Sequence, residues 1–498
     1  MTLLSLCEQA GLSCPDELCE QEVRGITSNS KKVKCGYVFV CIEGGHVDGH
    51  LYIDEAIKNG AIAAVVEKKA YGGKGRIACE SSRRALSVML DVFCGKPSQK
   101  MRFIGVTGTN GKTSVSVMLK AILDNAKIPN GLIGTIKCSS MGRELQKNPD
   151  DPLANMTTPD PEELYPMLAD MARDGVRYVI MEATSHALSL EKLAPIRFDV
   201  AIFTNLTQDH LDFHSSMEEY FKAKASLLDR AEIGVINVDD AFGSRLFTER
   251  RCKQVSCSET DRSSDLFADG VRYAGVDGVE YTLFIDGEPH RAKCSVPGQF
   301  SVMNSMQATA CALSLGIEYK IISKSLENLS PISGRLEKVR FSEEVDFALF
   351  IDYAHTPDAL ERLIKSVNSF KRAGERTVLL FGCGGDRDKS KRAKMGKVAS
   401  DGADLVIITA DNSRSERTED IINDILSGVS DKSRCTVIPD REQAIEYAIA
   451  NAESGDVILL AGKGHENYEI NSHGRRSFDE KAIARRAAEK YYGKKRED

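Results

Sequence analysis

The segment Thr107-Gly108-Thr109-Asn110-Gly111-Lys112-Thr113 combines two glycines, a lysine and three hydroxyls in the spacing of a phosphate cradle. Glycines let successive backbone N–H groups turn toward phosphate oxygens, and a helix N-terminus adds partial positive charge. The lysine reaches the terminal phosphates, and the threonine hydroxyl after it suits Mg²⁺. The full pattern G-x-x-x-x-G-K-[ST] would want glycine at Val106, so the loop reads as a shortened variant starting from Gly108. A glycine-rich turn with a surface lysine is the plainer alternative. The apolar strand before the loop and the helix after it favour a nucleotide site.

Glu182 closes the apolar run Tyr178-Val179-Ile180-Met181, where a carboxylate can hold Mg²⁺ beside a nucleotide. His186 follows, and Asp209-His210-Leu211-Asp212-Phe213-His214 follows the next apolar segment. A single histidine is more often a structural hydrogen-bonder than a ligand, but two such loops beside a phosphate loop single out His210. Ser216 and Glu219 read as a capping box that opens a helix. On that helix Met217, Tyr220, Phe221, Leu227 and Leu228 make an apolar stripe with Lys224 in its middle, while Lys222 points away to solvent. An inward lysine must be paired, chemically changed or snorkelling outward, and the residues alone favour snorkelling. Burial would lower its pKa, and a free amine can add CO₂ to give a carbamate, an anionic oxygen ligand for a hard cation.

Strands and helices must hold these loops in place. Strands are expected at Tyr37 to Ile42 and Ala61 to Glu67, before a turn cluster at Gly95-Lys96-Pro97-Ser98. The alternation then runs Phe103 to Val106, a helix from Thr113 to about Ala126, Arg177 to Glu182, Asp199 to Leu206 and Ile233 to Val238, a pattern that predicts a mostly parallel sheet covered by helices. Residues 250–297 look like an antiparallel excursion, with a helix from Val302 to Leu315 after it. Beyond Pro331-Ile332-Ser333-Gly334 the alternation restarts, with strands at Phe347 to Tyr353, Thr377 to Phe381, Leu405 to Thr409 and Val457 to Ala461. Ligands of such a doubly wound unit belong on the loops at the strand carboxyl ends. Those loops are Gly382-Cys383-Gly384-Gly385-Asp386-Arg387, Asp411-Asn412-Ser413-Arg414 and Gly462-Lys463-Gly464-His465-Glu466. The expected fold class is α/β in three domains, 1–97, 98–331 and 332–498.

The 498 residues are 42% hydrophobic and carry a net charge of −7, which argues against a nucleic-acid protein. The N-terminus lacks a basic n-region and no apolar run is membrane-length, so a cytoplasmic protein without a membrane span is expected. The 14 cysteines include no Cys-x-x-Cys pair and read as reduced thiols. A metal on Cys7, Cys14 and Cys19 is disfavoured, since free cysteine commonly behaves as a small buried hydrophobe.

Taken together, Gly108 to Thr113, Glu182-Ala183-Thr184-Ser185-His186, Asn205 to His214, Lys224, Asn304, Gly334-Arg335-Leu336-Glu337, Asp352-Tyr353-Ala354-His355 and the three carboxy-terminal loops resemble the Mur ligases, in the family's order and over essentially the whole chain. The resemblance implies an amino-terminal UDP-binding domain, a central ATPase and a Rossmann-like carboxy-terminal domain. It further implies ATP- and Mg²⁺-dependent addition of the third amino acid of the peptidoglycan stem peptide to a UDP-N-acetylmuramoyl dipeptide, through an acyl phosphate. By the match, Gly108, Thr109, Asn110, Gly111, Lys112 and Thr113 bind ATP with Asn304, Arg335, Asp352 and His355 across a domain cleft. Thr113 and Glu182 hold one Mg²⁺, and His210 with a carbamate on Lys224 (N6-carboxylysine) holds a second. The UDP substrate maps onto Ser28, Ser30, Gly45-His46-Val47, Thr157, Thr158, Thr184 and Lys192. Asn29-Ser30-Lys31 replaces the family's Asp-Ser-Arg, and Lys192 replaces an arginine. Lysine keeps the charge but loses the bidentate fork.

The incoming amino acid maps onto Arg387, Asp411, Asn412, Ser413, Arg414, Gly462 and Glu466. Arg414 suits the distal carboxylate of meso-diaminopimelate, which lysine lacks, and Glu466 suits an ammonium. Ser413 stands where the family has proline, so a looser loop is expected. Lysine as the added amino acid, a paralogue with another carrier, a folylpolyglutamate-synthetase-like ligase and a nucleotide-binding regulator are the alternatives. The oligomeric state is open, with a monomer favoured.

Overall fold

The computed structural model describes residues 1–45, 47–145, 156–211, 213–275, 278–369, 371–372 and 374–493. Three sheets follow one another along the chain, each wound with helices as the strand–helix alternation requires. The first places β1 (Gly25–Thr27), β2 (Tyr37–Val40), β3 (Ala61–Val66) and β4 (Arg76–Ala78) side by side and parallel. β3 reads Ala-Ile-Ala-Ala-Val-Val without polar alternation because a parallel strand is covered on both faces.

The central sheet has eleven strands. In chain order they are β5 (Arg102–Thr107), β6 (Asn130–Ile133), β7 (Cys138–Ser140), β8 (Arg143–Leu145), β9 (Tyr178–Glu182), β10 (Phe198–Phe203), β11 (Ala231–Asn237), β12 (Lys253–Ser258), β13 (Leu266–Tyr273), β14 (Val279–Ile285) and β15 (Glu288–Cys294). β5 lies between β9 and β10, where the winding reverses and a ligand crevice opens at the strand carboxyl ends. The Thr107–Thr113 loop leaves β5 at that point. The antiparallel excursion expected over 250–297 holds only in part: β12 and the start of β13 continue the parallel sheet, and β14 and β15 alone run antiparallel at the edge. The opposite edge ends in the antiparallel β7 and β8, whose short polar sequences gave no strand signal.

The third sheet contains β16 (Glu337–Lys338), β17 (Ala348–Asp352), β18 (Thr377–Phe381), β19 (Leu405–Ile408), β20 (Cys435–Val437) and β21 (Val457–Ala461). Its order is β16-β17-β21-β18-β19-β20, parallel except for β16. A hairpin, β22 (Tyr468–Asn471) with β23 (Gly474–Ser477), stands beside it. Helices cover both faces, with a separate apolar cluster on each. One core cluster runs from the first unit into one face of the central sheet, joining Leu3, Val38 and Met89 to Leu164, Phe198 and Phe221. All 14 cysteines are free.

Arg441 ties the third unit together. Fully buried, it donates to Glu480 Oε1 at 2.7 Å and to the carbonyls of Ala410 at 3.0 Å and Ala461 at 2.8 Å. Removing one partner of a buried pair leaves the other charge uncompensated, at a cost of about 3–5 kcal/mol. Arg441→Ala is expected to lower the unfolding free energy of this unit by about that much, read from the denaturant midpoint. Arg486→Ala breaks an exposed 2.8 Å pair with Glu442 and is expected to shift it by less than about 1 kcal/mol.

Candidate active site at the domain cleft

Two glycines give the phosphate loop its shape. Gly108 has φ 142° and Gly111 φ 87°. A Cβ on Gly108 would meet Thr204 Oγ1 at 1.9 Å, and one on Gly111 would meet Asn304 Oδ1 at 2.6 Å, so neither position accepts a side chain. Thr109 N–H donates to Asn205 O at 2.9 Å, Asn110 N–H donates to Asn205 Oδ1 at 3.0 Å, and Thr204 Oγ1 donates to Asn110 O at 2.6 Å. This is why β10 ends at Phe203 and not at Leu206: Thr204 and Asn205 leave the sheet to hold the loop. The helix Lys112–Asn125 starts directly from Gly111.

Lys112 and Lys224 meet on one oxygen. Lys112 Nζ donates to Gly108 O and Thr109 O, both at 2.9 Å, and Lys224 Nζ donates to Gly108 O at 2.8 Å. Lys224 therefore does not snorkel. It lies on the helix Met217–Ala225 with 1% of its surface exposed and its ammonium 4.6 Å from the centre of the Tyr220 ring. Snorkelling fails because the stripe packs under the phosphate loop, where no route to water matches the carbonyl in front of it. Burial and the charge of Lys112 hold the Lys224 amine well below its ordinary pKa, and burial lowers Lys112 as well. Ser216 caps the helix by accepting Glu219 N–H at 3.2 Å, while the Glu219 carboxylate accepts Ser215 N–H at 3.0 Å in place of the Ser216 N–H that a capping box would use.

Glu182 stands at the end of β9 with Thr113 Oγ1 donating to it at 3.0 Å and Thr135 donating through N–H at 3.0 Å and Oγ1 at 2.8 Å. Thr113 and Glu182 are thus adjacent hard-oxygen donors, the set a magnesium ion takes. Among the described residues no cluster of three or more His, Cys, Asp or Glu is arranged to hold a metal by itself. His210 has φ 53° and 43% of its side chain exposed, and its ring centre lies 5.0 Å from that of His186. Desolvation of the ring in the cleft lowers its pKa. The Asp209 carboxylate, 3.5 Å away, opposes that shift, and the charges of Lys224 and Lys112 add to it.

The third unit closes the cleft. Arg335 Nη2 donates to Thr113 Oγ1 at 3.2 Å, with its guanidinium 4.8 Å from the Tyr353 ring centre. Asp352 accepts the N–H groups of Leu336 at 2.7 Å and Ala354 at 2.8 Å, and burial raises its pKa. His355 Nδ1 lies 2.8 Å from Tyr353 O, and burial and the charge of Lys391 lower its pKa. These residues, Asn304 and the phosphate loop line a cavity of about 230 Å³ together with Phe300, Ala359, Arg362 and Leu363. Sequence reasoning missed Asp358, whose Oδ2 accepts Asn110 Nδ2 at 2.9 Å and Thr207 Oγ1 at 3.2 Å. In the sequence it reads as an ordinary acid in the first turn of the helix Pro357–Asn368. It missed Thr135 as well.

The residues matched to the UDP substrate are divided. Thr157 and Thr184 line the same cavity, and Thr158 lies buried behind them, donating to Glu182 O at 2.7 Å. Lys192 is buried against Asp160 Oδ1 at 2.5 Å. Ser28 donates through N–H at 2.8 Å and Oγ at 2.9 Å to Glu162 Oε1, which links the first two sheets, while Ser30 Oγ donates to Glu55 at 3.3 Å. Gly45 and Val47 are exposed, and His46 lies outside the described residues.

The three carboxy-terminal loops converge. Asn412 Nδ2 donates to Glu466 Oε2 at 2.8 Å, and its Oδ1 accepts Lys463 Nζ at 3.1 Å and Ile470 N–H at 2.9 Å. The buried Lys463 also faces Asp411 at 3.6 Å, and Gly462, with φ 113°, lies against that carboxylate. Burial and Asp411 raise the Glu466 pKa. Arg414 donates from Nη1 to Gly385 O at 2.8 Å, and burial and the neighbouring charge of Arg387 lower its pKa. Ser413 is buried, and its neighbours Asn412 and Arg414 are hydrogen-bonded to Glu466, Lys463 and Gly385.

Models of the Mur ligase family match the chain in three stretches: "Mur ligase family, catalytic domain" over residues 22–89, "Mur ligase middle domain" over 106–312 and "Mur ligase, glutamate ligase domain" over 334–464. A UDP-N-acetylmuramoyl-L-alanyl-D-glutamate–2,6-diaminopimelate ligase of Caldanaerobacter subterraneus is 40% identical over 469 residues, covering 93% of this chain and 94% of its own length. The chain belongs to the Mur ligase family. The enzyme of the same name from Clostridium acetobutylicum is 39% identical over 464 residues, with 93% and 94% covered. A solved structure of a ligase with that name superposes with a TM-score of 0.70 at 29% identity over 98% of this chain and 99% of the other. A MurF ligase from Thermotoga maritima in complex with ADP shares the fold, with a TM-score of 0.59 at 18% identity over 95% and 97% of the two chains.

Gly111→Ala puts a methyl group on Asn304 at a positive φ. It is expected to weaken ADP binding at least 100-fold by calorimetry while the protein still unfolds cooperatively. Unchanged affinity would remove this loop from the nucleotide site.

Proposed function

We propose that this Mur ligase adds meso-diaminopimelate to UDP-N-acetylmuramoyl-L-alanyl-D-glutamate with ATP, releasing ADP and phosphate, and that residues 1–97, 98–331 and 332–498 are its three domains. The observation that carries the reading is that Arg335, Asp352 and His355 face the Gly108–Thr113 loop across one cavity, while Tyr353 beside them also meets His465 of the loop that carries Glu466. An amide ligation needs phosphoryl transfer and amine capture in adjoining space. The diaminopimelate-ligase names of the relatives agree with the charge pattern of the amino-acid pocket. Arg414 and Arg387 repel each other and gain from an anion between them, the distal carboxylate of diaminopimelate, while Glu466 takes an ammonium.

The chemistry follows from these placements. A carboxylate oxygen of the D-glutamyl residue attacks the γ-phosphorus of ATP and ADP leaves, giving an acyl phosphate. The amine of diaminopimelate then attacks the acyl carbon and loses a proton, and the tetrahedral adduct expels phosphate as the amide forms. Lys112 neutralises the terminal phosphates, backbone N–H groups of the loop orient them, and Arg335 supplies a further cation from the opposite domain. Asn304, Asp352 and His355 complete the nucleotide side. Thr113 and Glu182 would hold Mg²⁺, which supplies charge neutralisation on the phosphates when bound. Of the residues matched to the UDP substrate, Thr157 and Thr184 meet it from the cavity wall, while Thr158, Lys192, Ser28 and Ser30 are bonded to protein partners around them.

Lys224 is proposed to act as N6-carboxylysine. Two ammonium groups on the Gly108 oxygen repel each other. A carbamate turns Lys224 from cation to anion, so that it attracts Lys112 and offers oxygens beside His210 for a second Mg²⁺. Burial and the charge of Lys112 lower the pKa of this amine, the direction that favours the nitrogen lone pair CO₂ needs.

Phosphate release is expected to require ATP, Mg²⁺, the UDP-muramoyl dipeptide and diaminopimelate together, with lysine a poor replacement. Release indifferent to dipeptide and amino acid overturns the reading. Lys224→Ala is expected to lose more than about 99% of kcat, the scale of a lost electrostatic stabiliser, with no rescue by bicarbonate. Full activity would discard the carbamate. Arg414→Ala is expected to raise KM for diaminopimelate at least tenfold and KM for ATP less than twofold.

A further inference from the structure

The two arginine-bearing loops each carry a strained residue. Asp386, just before Arg387, has φ 51°, and Arg414 itself has φ 51°. Side chains other than glycine adopt this left-handed conformation at an energetic cost and keep it only where surrounding bonds impose it. Here the bonds are reciprocal. Glu416, two residues after Arg414, accepts Asp386 N–H on Oε1 at 2.6 Å. The Asp386 carboxylate returns the bond, accepting Ser415 N–H at 3.1 Å and Ser415 Oγ at 2.6 Å. Gly385 N–H donates to Asn412 O at 2.9 Å.

Glu416 is itself fixed from beneath. Arg392, on the helix Ser390–Gly402 and only 1% exposed, forks onto both carboxylate oxygens, from Nη2 to Oε1 at 2.9 Å and from Nη1 to Oε2 at 3.0 Å. The same guanidinium reaches Gly384 O at 3.3 Å and Asp424 at 2.9 Å, and Lys389 Nζ lies 3.0 Å from Glu416 Oε2. The pair thus joins a rigid helix to both loops, and its bidentate geometry fixes direction as well as distance.

We propose that Glu416, held by Arg392, is a positioning residue that sets the spacing and aim of Arg387 and Arg414 and thereby the preference for a diamino acid with a second carboxylate. This rests on the diaminopimelate reading of the pocket. It gives the Asp411–Arg414 loop a constraint from outside the segment: where a proline ring at position 413 would fix one φ, a carboxylate clamp ties two loops together. Glu416 is not among the residues that line the cavity beside the phosphate loop.

Wild-type enzyme is first assayed with diaminopimelate and with L-lysine. No diaminopimelate-dependent phosphate release there would defeat the underlying functional reading and, with it, the clamp's role. With wild-type activity in hand, Glu416→Gln keeps the shape and removes the charge that Arg392 grips. It is expected to raise KM for diaminopimelate at least tenfold and to lower the diaminopimelate-to-lysine ratio of kcat/KM at least tenfold, with KM for ATP and the dipeptide within twofold. Ser415→Ala, at an exposed position that cannot endanger folding, is expected to move the same ratio in the same direction by two- to fivefold. A purely structural role would leave the ratio unchanged. An unaltered ratio in both variants, or in Ser415→Ala alone if Glu416→Gln does not fold, overturns the proposal.

Discussion

The carbonyl oxygen of Gly108 takes hydrogen bonds from two lysine side chains, the buried Lys224 and the half-buried Lys112, and the geometry of the cleft follows from that contact. Lys112 reaches it from the helix that opens at Gly111, and Lys224 from the helix that packs beneath the loop. For both to arrive, the backbone at Gly108 must lie flat against Thr204 and Asn205, which leaves no room for a Cβ. Two cations on one oxygen in a buried site are stable only with anions nearby, since a low dielectric magnifies both attraction and repulsion. Glu182, Asp209 and, by proposal, a carbamate and the nucleotide phosphates are those anions. The site is therefore an electrostatic arrangement matched to negatively charged ligands before any chemistry begins.

The same constraint couples the domains. Asn110 uses its backbone to hold the loop after β10 and its side chain to reach Asp358 on the third domain, while Arg335 returns a bond to Thr113. A residue at the centre of the phosphate loop thus bonds to both walls of the cleft. Beside these polar bonds, Phe300 packs against the cores on both sides of the cleft.

Much of this was legible in the sequence because local pattern and local structure coincide. β18 and β21 begin and end where their apolar runs do, and Lys224 stands out because a charge within a helical stripe has no ordinary explanation. The illegible parts depend on distant partners. Strand β10 was expected to reach Leu206, and only the bonds from Thr204 and Asn205 to a loop about a hundred residues earlier stop it. Nothing in the spacing of Lys224 says that its partner is the Gly108 carbonyl, 116 positions away, so snorkelling was the reasonable and incorrect inference. Asp358 and Glu416 look like routine acids at a helix start and in a loop. Their meaning lies in what faces them.

Ser413 shows how rigidity can move from one residue to its surroundings. A proline would stiffen its own φ and remove an N–H whatever the neighbours do. With serine, the loop relies on bonds that close only when both loops and the helix below are in place, so its order belongs to the folded domain and not to the segment. Arg414 can then occupy a strained backbone position because the strain is shared with Asp386 across the clamp. Pre-organisation of this kind matters most for a guanidinium, whose planar fork gains affinity only when its direction is fixed before the carboxylate arrives.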